Sequence, residues 1–276
     1  QTIDGVDPSG VRFRYNGNGV QVFTDEDRSS DTETSHADEV VGFVAFANTG
    51  LLQSTNERDN QLTKNGTGNL VINGTADFQD GTLHNVGTLT VDGTLSGDTV
   101  NIASLATLTG GGTVDAPVFS DDADSNIVAS GNLTLGDGSA DGFDFGGVLT
   151  VGGNTVTIVD SDDGLLGRST TIDGGTLTAA NGLAMSTDDV LSGQGTVDST
   201  LDLNEGTVTP GDTGDITNTL NIRDIDLGTG EFVVDIDTDA VGEHDLLDIT
   251  GTVNPNGATL TVQDLGNVAL GTQILV

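Results

Sequence analysis

The sequence predicts an all-β protein, a parallel β-helix (β-solenoid) rod preceded by a small strand-rich N-terminal segment. Three observations lead to this prediction. Short segments of alternating apolar and polar residues recur after glycine turns, no window shows the 3.6-residue apolar period of a helix, and one eight-residue phrase returns far along the chain. A β-sandwich is the competing fold, but it does not naturally produce a long-range phrase repeat.

The repeated phrase sets the size of the structural unit. Residues 108–115 read LTGGGTVD, and residues 191–198 read LSGQGTVD, 83 residues later. The segment Gly-Thr-Leu-Thr begins at Gly87 and again at Gly175, 88 residues on. The two offsets predict a unit of about 85 residues with a five-residue insertion in its first copy, and such a unit holds about four rungs of roughly 20 residues.

Composition favours a thin core over a wide globular one. The chain of 276 residues has 41 Gly, no Cys and only 34% hydrophobic residues. Val, Leu, Ile and Thr can supply a core of that kind where each rung buries its apolar side chains against its neighbours. The segments 87–91, 175–178, 206–209 and 257–262 read as such strands, with Leu and Val pointing inward and Thr pointing outward.

The predicted organisation has three parts, which are a strand-rich N-terminal segment at 1–54, a linker at 55–61 and a β-solenoid at 62–276. In the first part, residues 11–15 (VRFRY) and 20–23 (VQVF) alternate as strands do, and residues 40–47 form an apolar strand after an acidic stretch. The polar linker carries no apolar alternation.

The charge of the chain excludes several partners. It has 43 acidic and 7 basic residues, a net charge of −36. Nucleic acids and anionic membrane surfaces need clustered Lys or Arg, and no apolar run approaches the ~20 residues of a membrane span, so we expect neither nucleic-acid binding nor direct membrane insertion. Such acidity suits salty water or bound divalent cations, and the absence of Cys fits an extracellular or cell-surface location.

Calcium is the cofactor that the carboxylates favour. Asp235, Asp237 and Asp239 alternate along one predicted strand, so their side chains share a face where a cation or solvent must relieve the repulsion. A second candidate is the turn that contains Asp160, Asp162 and Asp163. The alternative in both places is a solvated acidic surface, and neither segment matches an EF-hand loop.

Catalytic patterns are lacking, and we expect no enzyme. Paired carboxylates such as Asp121-Asp122 occur, but the chain has no Gly-His-Gly or Arg-x-Lys pattern beside them, no Cys and no Gly-x-Ser-x-Gly elbow. Thr-x-Thr pairs of the kind found on ice-binding surfaces start at unequal intervals along the chain. They predict only threonines on the outer faces of strands, without a common column; the pairs are Thr88/Thr90, Thr107/Thr109, Thr155/Thr157, Thr176/Thr178, Thr207/Thr209 and Thr259/Thr261.

Two resemblances accompany these patterns. The segments 191–197 (LSGQGTV), 206–211 (GTVTPG), 232–237 (FVVDID) and 244–251 (HDLLDITG) occur in the order typical of autotransporter passenger domains and related secreted Gly/Thr/Asp-rich β-helix proteins, which residues 62–276 resemble. A stretch from Val22 to Phe46 is similar to the last strands of lectin-like β-sandwich modules in large secreted surface proteins. Both resemblances imply a secreted scaffold or adhesive protein.

We therefore expect an extracellular structural protein that forms or decorates a cell-surface layer, matrix or filament. The physical reason is that an open β-helix has unpaired strand edges at its ends, which must be capped or joined. Head-to-tail self-association is the expected partner interaction. The alternative is an adhesin or carbohydrate-binding segment of a larger surface protein, with glycans as partners.

Overall fold

The computed structural model describes six stretches of the chain, which are residues 9–16, 19–26, 45–46, 60–211, 218–237 and 243–264. Every regular element in these stretches is a β-strand and none is a helix, which confirms the predicted all-β class. Internal contacts divide the chain into two compact units, Gln1–Phe43 and Val44–Val276. This division differs from the predicted boundaries at 54/55 and 61/62, which remain a prediction.

The first unit contains an antiparallel hairpin. Strand β1 (Ser9–Asn16) pairs with β2 (Gly19–Glu26) along the full length of both strands. The predicted strands at 11–15 and 20–23 are thus confirmed. Most of the acidic stretch and the predicted strand at 40–47 lie outside the described residues, apart from β3 (Ala45–Phe46), which belongs to the second unit.

The second unit is a parallel β-solenoid of about eight turns, as predicted. Its strands after β3 are short and follow one another around each turn: β4 Leu62–Lys64, β5 Asn69–Ile72, β6 Thr75–Phe78, β7 Thr82–His84, β8 Gly87–Val91, β9 Thr94–Gly97, β10 Val100–Ile102, β11 Ala106–Gly110, β12 Thr113–Asp115, β13 Val118–Ser120, β14 Asn126–Ala129, β15 Leu133–Leu135, β16 Phe143–Phe145, β17 Val148–Gly152, β18 Thr155–Ile158, β19 Gly164–Leu166, β20 Ser169–Ala179, β21 Leu183–Ala184, β22 Val190–Asp202, β23 Thr207–Pro210, β24 Thr219–Asp226, β25 Glu231–Asp237, β26 Glu243–His244, β27 Leu246–Ile249, β28 Val253–Asn254 and β29 Thr259–Asp264.

The solenoid has three faces, each a parallel sheet that receives one strand or part of a strand from every turn. Face 1 runs from β4 through β7, β10, β13, β16, β19 and β21 to β28. Face 2 runs from β5 through β8, β11, β14 and β17 to β29. Face 3 runs from β6 through β9, β12, β15 and β18 to β27. The long strands β20 and β24 each bend around one corner and serve two faces, and β22 bends around two corners and serves all three.

The repeated phrase lies at one position of face 2, four turns apart. Leu108 pairs with Ile127, Ile127 with Leu149, Leu149 with Thr170, and Thr170 with Leu191. The 83-residue repeat is therefore four rungs long, as the sequence predicts. Rung length varies widely, from 17 residues between the paired Leu191 and Val208 to 28 between Phe232 and Leu260.

Two other predictions about register are wrong. Thr88 lies on face 2 and Thr176 on face 3, so the recurrence of Gly-Thr-Leu-Thr after 88 residues does not mark an insertion in an equivalent unit. Thr88 and Thr90 pair directly with Thr107 and Thr109, so some Thr-x-Thr pairs do share a column. The reason is that corners of different length absorb the spacing differences, while hydrogen bonding keeps the strands in register.

The core is a stack of inward-pointing apolar side chains. Leu70, Leu89 and Leu108 lie one above another on face 2 and are fully buried. Phe143 and Phe145 fill the wider middle turns, with their ring centroids 6.1 Å apart. Burial of each such side chain contributes roughly 1.5–3 kcal/mol, so a narrow core is sufficient when every rung supplies several of them.

Aspartates at the corners serve the backbone. In each case a side-chain oxygen accepts a hydrogen bond from the backbone N–H two residues ahead, as in an Asx turn. The residues that do so are Asp122, Asp137, Asp160, Asp202 and Asp226. Many of the carboxylates thus form the turns of the fold, which explains why Asp is used in preference to Glu.

Candidate functional site

The buried carboxylates near the C-terminal end form the most unusual polar cluster of the solenoid. Asp235, predicted as a calcium ligand with a solvated acidic surface as the alternative, is only 2% exposed, and Asp245 is equally buried. Strand β26 folds back antiparallel onto β25, and the backbone N–H of Asp245 donates to the Asp235 carbonyl at 2.9 Å. The carboxylate of Asp235 is therefore buried, whereas the alternating pattern placed it on an outer face open to a cation or to solvent.

Asn218 supplies the polar contacts of Asp245. Its backbone N–H and its side-chain Nδ2 donate to Asp245 Oδ1 at 3.1 and 3.4 Å. The other oxygen, Oδ2, is buried and has no hydrogen-bond partner among the described residues. Burial raises the pKa of Asp245, and the charge of Asp235 raises it further against the lowering effect of the Asn218 hydrogen bonds.

The predicted calcium row is only partly visible. Asp235 is placed as above, the backbone of Asp237 ends β25, and Asp239 lies outside the described residues together with the side chain of Asp237. Asp235 is brought together with Asp245, which sequence reasoning missed. Asp235 and Asp245 are ten residues apart in the sequence, so their proximity becomes visible only when β25 is seen to pair with β26.

At the second predicted calcium site, Asp160, Asp162 and Asp163, the buried carboxylate is bound to the backbone. Asp160 is buried, and its two oxygens accept the backbone N–H groups of Phe143 at 2.7 Å and Asp162 at 2.9 Å. Asp162 and Asp163 are exposed at the same corner. Since both oxygens of Asp160 already hold the backbone, this carboxylate has a structural role.

Across the described stretches, no three His, Cys, Asp or Glu residues are grouped so that they could hold a metal ion. Calcium at either predicted set thus remains a prediction. The part of the chain that the structure describes also contains no helix long and apolar enough to cross a membrane.

A buried Lys-His pair lies in the first turns of face 1. Lys64 and His84 are paired neighbours, 2% and 0% exposed. Lys64 Nζ donates to the carbonyls of Gly66 and Val86, the latter at 2.8 Å, and His84 Nε2 lies 2.9 Å from the Thr107 carbonyl oxygen. Burial lowers the pKa of Lys64 and lowers that of His84 to about 4, with the Lys64 charge adding to the second shift. Lys64 thus holds corner carbonyls and His84 the Thr107 carbonyl of strand β11, with both side chains buried.

Face 2 carries an uncharged surface, which we call the uncharged face. Each strand from β5 to β23 places two outward side chains on it, one on either side of the inward central residue, while a third outward position on β20 and β22, at the margin of this surface, holds Asp173 and Gln194. None of these sixteen side chains is charged: Asn69, Val71, Thr88, Thr90, Thr107, Thr109, Asn126, Val128, Val148, Thr150, Ser169, Thr171, Val190, Ser192, Thr207 and Thr209. By contrast, face 3 presents Asp77, Asp115, Asp198 and Asp248, and face 1 presents Asp144, Asp202 and Asp226.

The last described turn is open on its outer side. Strands β27, β28 and β29 pair only with the preceding turn within the described part of the chain. Four of their apolar side chains are exposed: Leu246 by 46%, Val253 by 49%, Leu260 by 44% and Val262 by 36%. At the opposite end, β3 lies antiparallel to the edge of β5, while the described residues place no strand on the outer edges of β4 and β6.

Two shallow grooves follow the corners of the solenoid. One of about 510 Å³ is lined by corner residues of four successive turns, most of them polar: Met185, Ser186, Thr187, Asn204, Glu205, Gly228, Thr229 and Asn256. The other, of about 360 Å³, lies near Asp160 and Arg223. Arg223 there forms ion pairs with Asp198 at 3.2 Å and Asp224 at 3.3 Å, so its charge is already used.

Within the described residues, these features are a last turn with exposed apolar side chains, an uncharged surface on face 2 and polar grooves along the corners. A comparison with protein-family models found no matching family, and searches of curated proteins and of solved structures found no match either.

Proposed function

We propose that this chain is a structural protein of an extracellular or cell-surface layer, matrix or filament, in which β-solenoids join end to end. Its resemblance to autotransporter passenger-like secreted β-helix proteins supports that setting. The observation that carries the proposal is the last described turn, whose outer strand edges pair with no further strand among the described residues and which exposes four apolar side chains.

The exposed side chains have a clear structural cause. Leu260 pairs with Phe232, which in turn pairs with the fully buried Val208, so Leu260 occupies the position that is inward-facing in the turns below. Apolar groups at this position are buried in the preceding rungs because another rung covers them. A further rung on the open end would remove them from water, with each Leu gaining on the order of 1 kcal/mol from its exposed part.

A second copy can supply such a rung. The outer edges of its β4 and β6 present backbone N–H and C=O groups on faces 1 and 3, the same faces to which β28 and β27 belong. On faces 1 and 3 pairing would continue the parallel register of the solenoid across the junction, whereas on face 2 the edge of β5 is already paired with β3. Because each copy offers two different ends, the contact is head-to-tail and extends into a fibre.

The test compares Leu260→Asp with Leu105→Asp. Leu260 lies on the open end, whereas Leu105 is 72% exposed on a corner in the middle of the solenoid, so both variants place a new carboxylate on a solvent-exposed leucine. Electron microscopy and sedimentation at high salt should show concentration-dependent lengthening for the wild type and for Leu105→Asp, and single particles for Leu260→Asp. Wild-type protein that stays as monodisperse particles at high salt with calcium would refute the proposal.

An adhesin or carbohydrate-binding role is the second candidate, favoured by the larger groove. Its lining offers the amide oxygens of Asn204 and Asn256 and the Glu205 carboxylate, acceptors for sugar hydroxyls, while the Asn204 and Asn256 amide nitrogens and the Thr187 hydroxyl already donate within the protein. A glycan array should then show a discrete specificity that Glu205→Gln weakens. An array without any glycan-dependent signal would remove this candidate.

A further inference from the structure

We propose that two copies of this chain associate side by side by packing their uncharged faces against each other. The contact differs from the end-to-end junction and does not depend on it. It would join rods laterally into a sheet or a bundle.

Charge is the first argument. The chain has a net charge of −36, so two copies that approach each other through most of their surface bring carboxylates together. The outward positions of faces 1 and 3 include aspartates, whereas the sixteen positions of the uncharged face include none. Strand structure by itself does not remove acidic residues, because the other two faces are built from the same kind of strand. The uncharged face is therefore the side on which a like-charged copy meets least repulsion.

The side chains of the uncharged face suit sheet-on-sheet packing. Thr and Val predominate, and these β-branched side chains have few rotamers to lose when they are covered. Some hydroxyls are already satisfied within the sheet, since Thr90 Oγ1 donates to Asn69 Oδ1 at 2.9 Å and Thr109 Oγ1 donates to the Val128 carbonyl at 2.7 Å. Those groups need no water when a partner covers them.

The spacing of the face matches that of a second copy. Its strands repeat about every 4.8 Å along the solenoid, and its outward residues on one strand lie about 7 Å apart. A second copy of the same face repeats at the same intervals, so the two sets of side chains can interdigitate as in packed sheets about 10 Å apart. The association is isologous, with the same residues contributed by both copies.

The size of the face predicts a weak contact. Eight strands span about 34 Å, and with a width of about 12 Å the face offers roughly 400 Å² per copy. Two copies would bury roughly 800 Å², below the ~1,200 Å² typical of stable complexes. A single pair is thus expected to dissociate readily, and lateral contacts become persistent only where many rods lie in register.

Salt controls the association. Carboxylates flank the face on three sides, with Asp92 and Asp173 along one side, Asp124 and Glu205 along the other, and Glu231 next to Thr207 at its C-terminal end. Their repulsion acts over about 8 Å at 0.15 M salt and about 3 Å at 1 M. High salt should therefore strengthen side-by-side pairing.

The test uses two substitutions in the same turn, Thr150→Asp on the uncharged face and Thr157→Asp on face 3. Both threonines are outward-facing and half-buried in the middle of neighbouring strands, so the substitutions make similar demands on folding. In sedimentation velocity over a series of salt concentrations, wild type and Thr157→Asp should dimerise at high salt, and Thr150→Asp should dimerise at least ~10-fold more weakly. The Leu260→Asp background removes end-to-end growth and keeps the two contacts distinguishable.

A crosslinking measurement covers the case in which Thr150→Asp does not fold. The chain has no cysteine, so Thr109→Cys and Val128→Cys each introduce a single thiol on the uncharged face. Thr134→Cys introduces a single thiol on face 3 and is the matched control. A short bis-maleimide should link the first two variants at high salt and leave Thr134→Cys unlinked. A wild type that stays monomeric at every salt concentration, or equal crosslinking at all three positions, would overturn the proposal.

Discussion

His84 pairs with Lys64 in the parallel sheet of face 1, and both side chains are buried inside the solenoid. The imidazole is neutral there, because burial and the neighbouring ammonium lower its pKa to about 4. A histidine that must stay neutral to remain buried makes folding sensitive to acid.

We expect the stability of the solenoid to fall as the pH drops from 6.5 towards 4. The unfolded chain takes up a proton on His84 near pH 6.5, whereas the folded chain takes it up only near pH 4, so acid favours the unfolded state within this window. The loss attributable to His84 is about 3 kcal/mol at pH 4. Urea unfolding at several pH values should show a shallower pH dependence for His84→Leu than for the wild type.

His244→Gln is the control for that experiment. Its ring is exposed in the folded protein, and it lies near the opposite end of the solenoid. The substitution should leave the pH dependence as in the wild type. Equal slopes for wild type and His84→Leu would show that His84 does not govern acid sensitivity.

A buried hydroxyl on face 2 offers a stabilising substitution. Thr170 points inward between Leu149 and Leu191, is 1% exposed, and its Oγ1 has no hydrogen-bond partner among the described residues. A hydroxyl in that state destabilises the fold by roughly 1–3 kcal/mol. Thr170→Val keeps the shape and removes the polar atom, so thermal unfolding should occur at a higher temperature.

Thr171→Val is the matched control, because the adjacent Thr171 points outward on the same strand. Its effect should stay within about 0.5 kcal/mol of the wild type. A Thr170→Val variant that is less stable than the wild type would mean that Oγ1 has a partner, such as a buried water.

The sequence predicts the solenoid because each rung repeats local chemistry. Alternation of Leu and Thr after a glycine corner is readable wherever it occurs, and the phrase at 108–115 returns four rungs later. The sequence does not show which face a segment joins, because rungs vary from 17 to 28 residues and the spacing between equivalent strands is not constant. For this reason the Gly-Thr-Leu-Thr segments at Gly87 and Gly175 look equivalent and are not.

The polar clusters depend on contacts that local patterns do not contain. Asp235 has the alternation of an outward residue, yet the β25–β26 hairpin buries it beside Asp245. Lys64 and His84 are each the last residue of a three-residue strand, in which the first and last side chains are buried. An alternation of only three residues cannot be told from a turn in the sequence. The uncharged face likewise becomes visible only after strand register aligns its residues.

Asp245→Asn should stabilise the protein at neutral pH. Burial and the charge of Asp235 raise the pKa of Asp245, so ionised Asp245 opposes folding and wild-type stability decreases as the pH rises from 3.8 through the raised pKa. Asparagine keeps an acceptor for Asn218 and removes the charge. The melting temperature of Asp245→Asn should exceed that of the wild type at neutral pH, and the difference should shrink towards pH 4.

If calcium binds the buried carboxylates of Asp235 and Asp245, it should stabilise the wild type relative to Asp245→Asn. Millimolar calcium would then raise the melting temperature of the wild type in low salt and leave Asp245→Asn unchanged, with the exposed Asp162→Asn responding as the wild type does. If chelation and calcium addition both leave the wild-type melting temperature unchanged, calcium plays no part at this pair.

Close contact between turns makes Gly93 intolerant of any side chain. A Cβ at Gly93 would lie 2.1 Å from the carbonyl oxygen of Gly74, the corresponding corner residue of the previous turn, and backbone cannot yield there without separating the two rungs. Gly74 belongs to the first described turn, and a Cβ there meets nothing within 4 Å. Urea unfolding should therefore show a loss of about 2 kcal/mol or more for Gly93→Ala and little change for Gly74→Ala. Of these two glycines, Gly93 alone faces a rung that blocks a Cβ. Equal losses of stability in the two variants would therefore mean that both glycines act through chain flexibility.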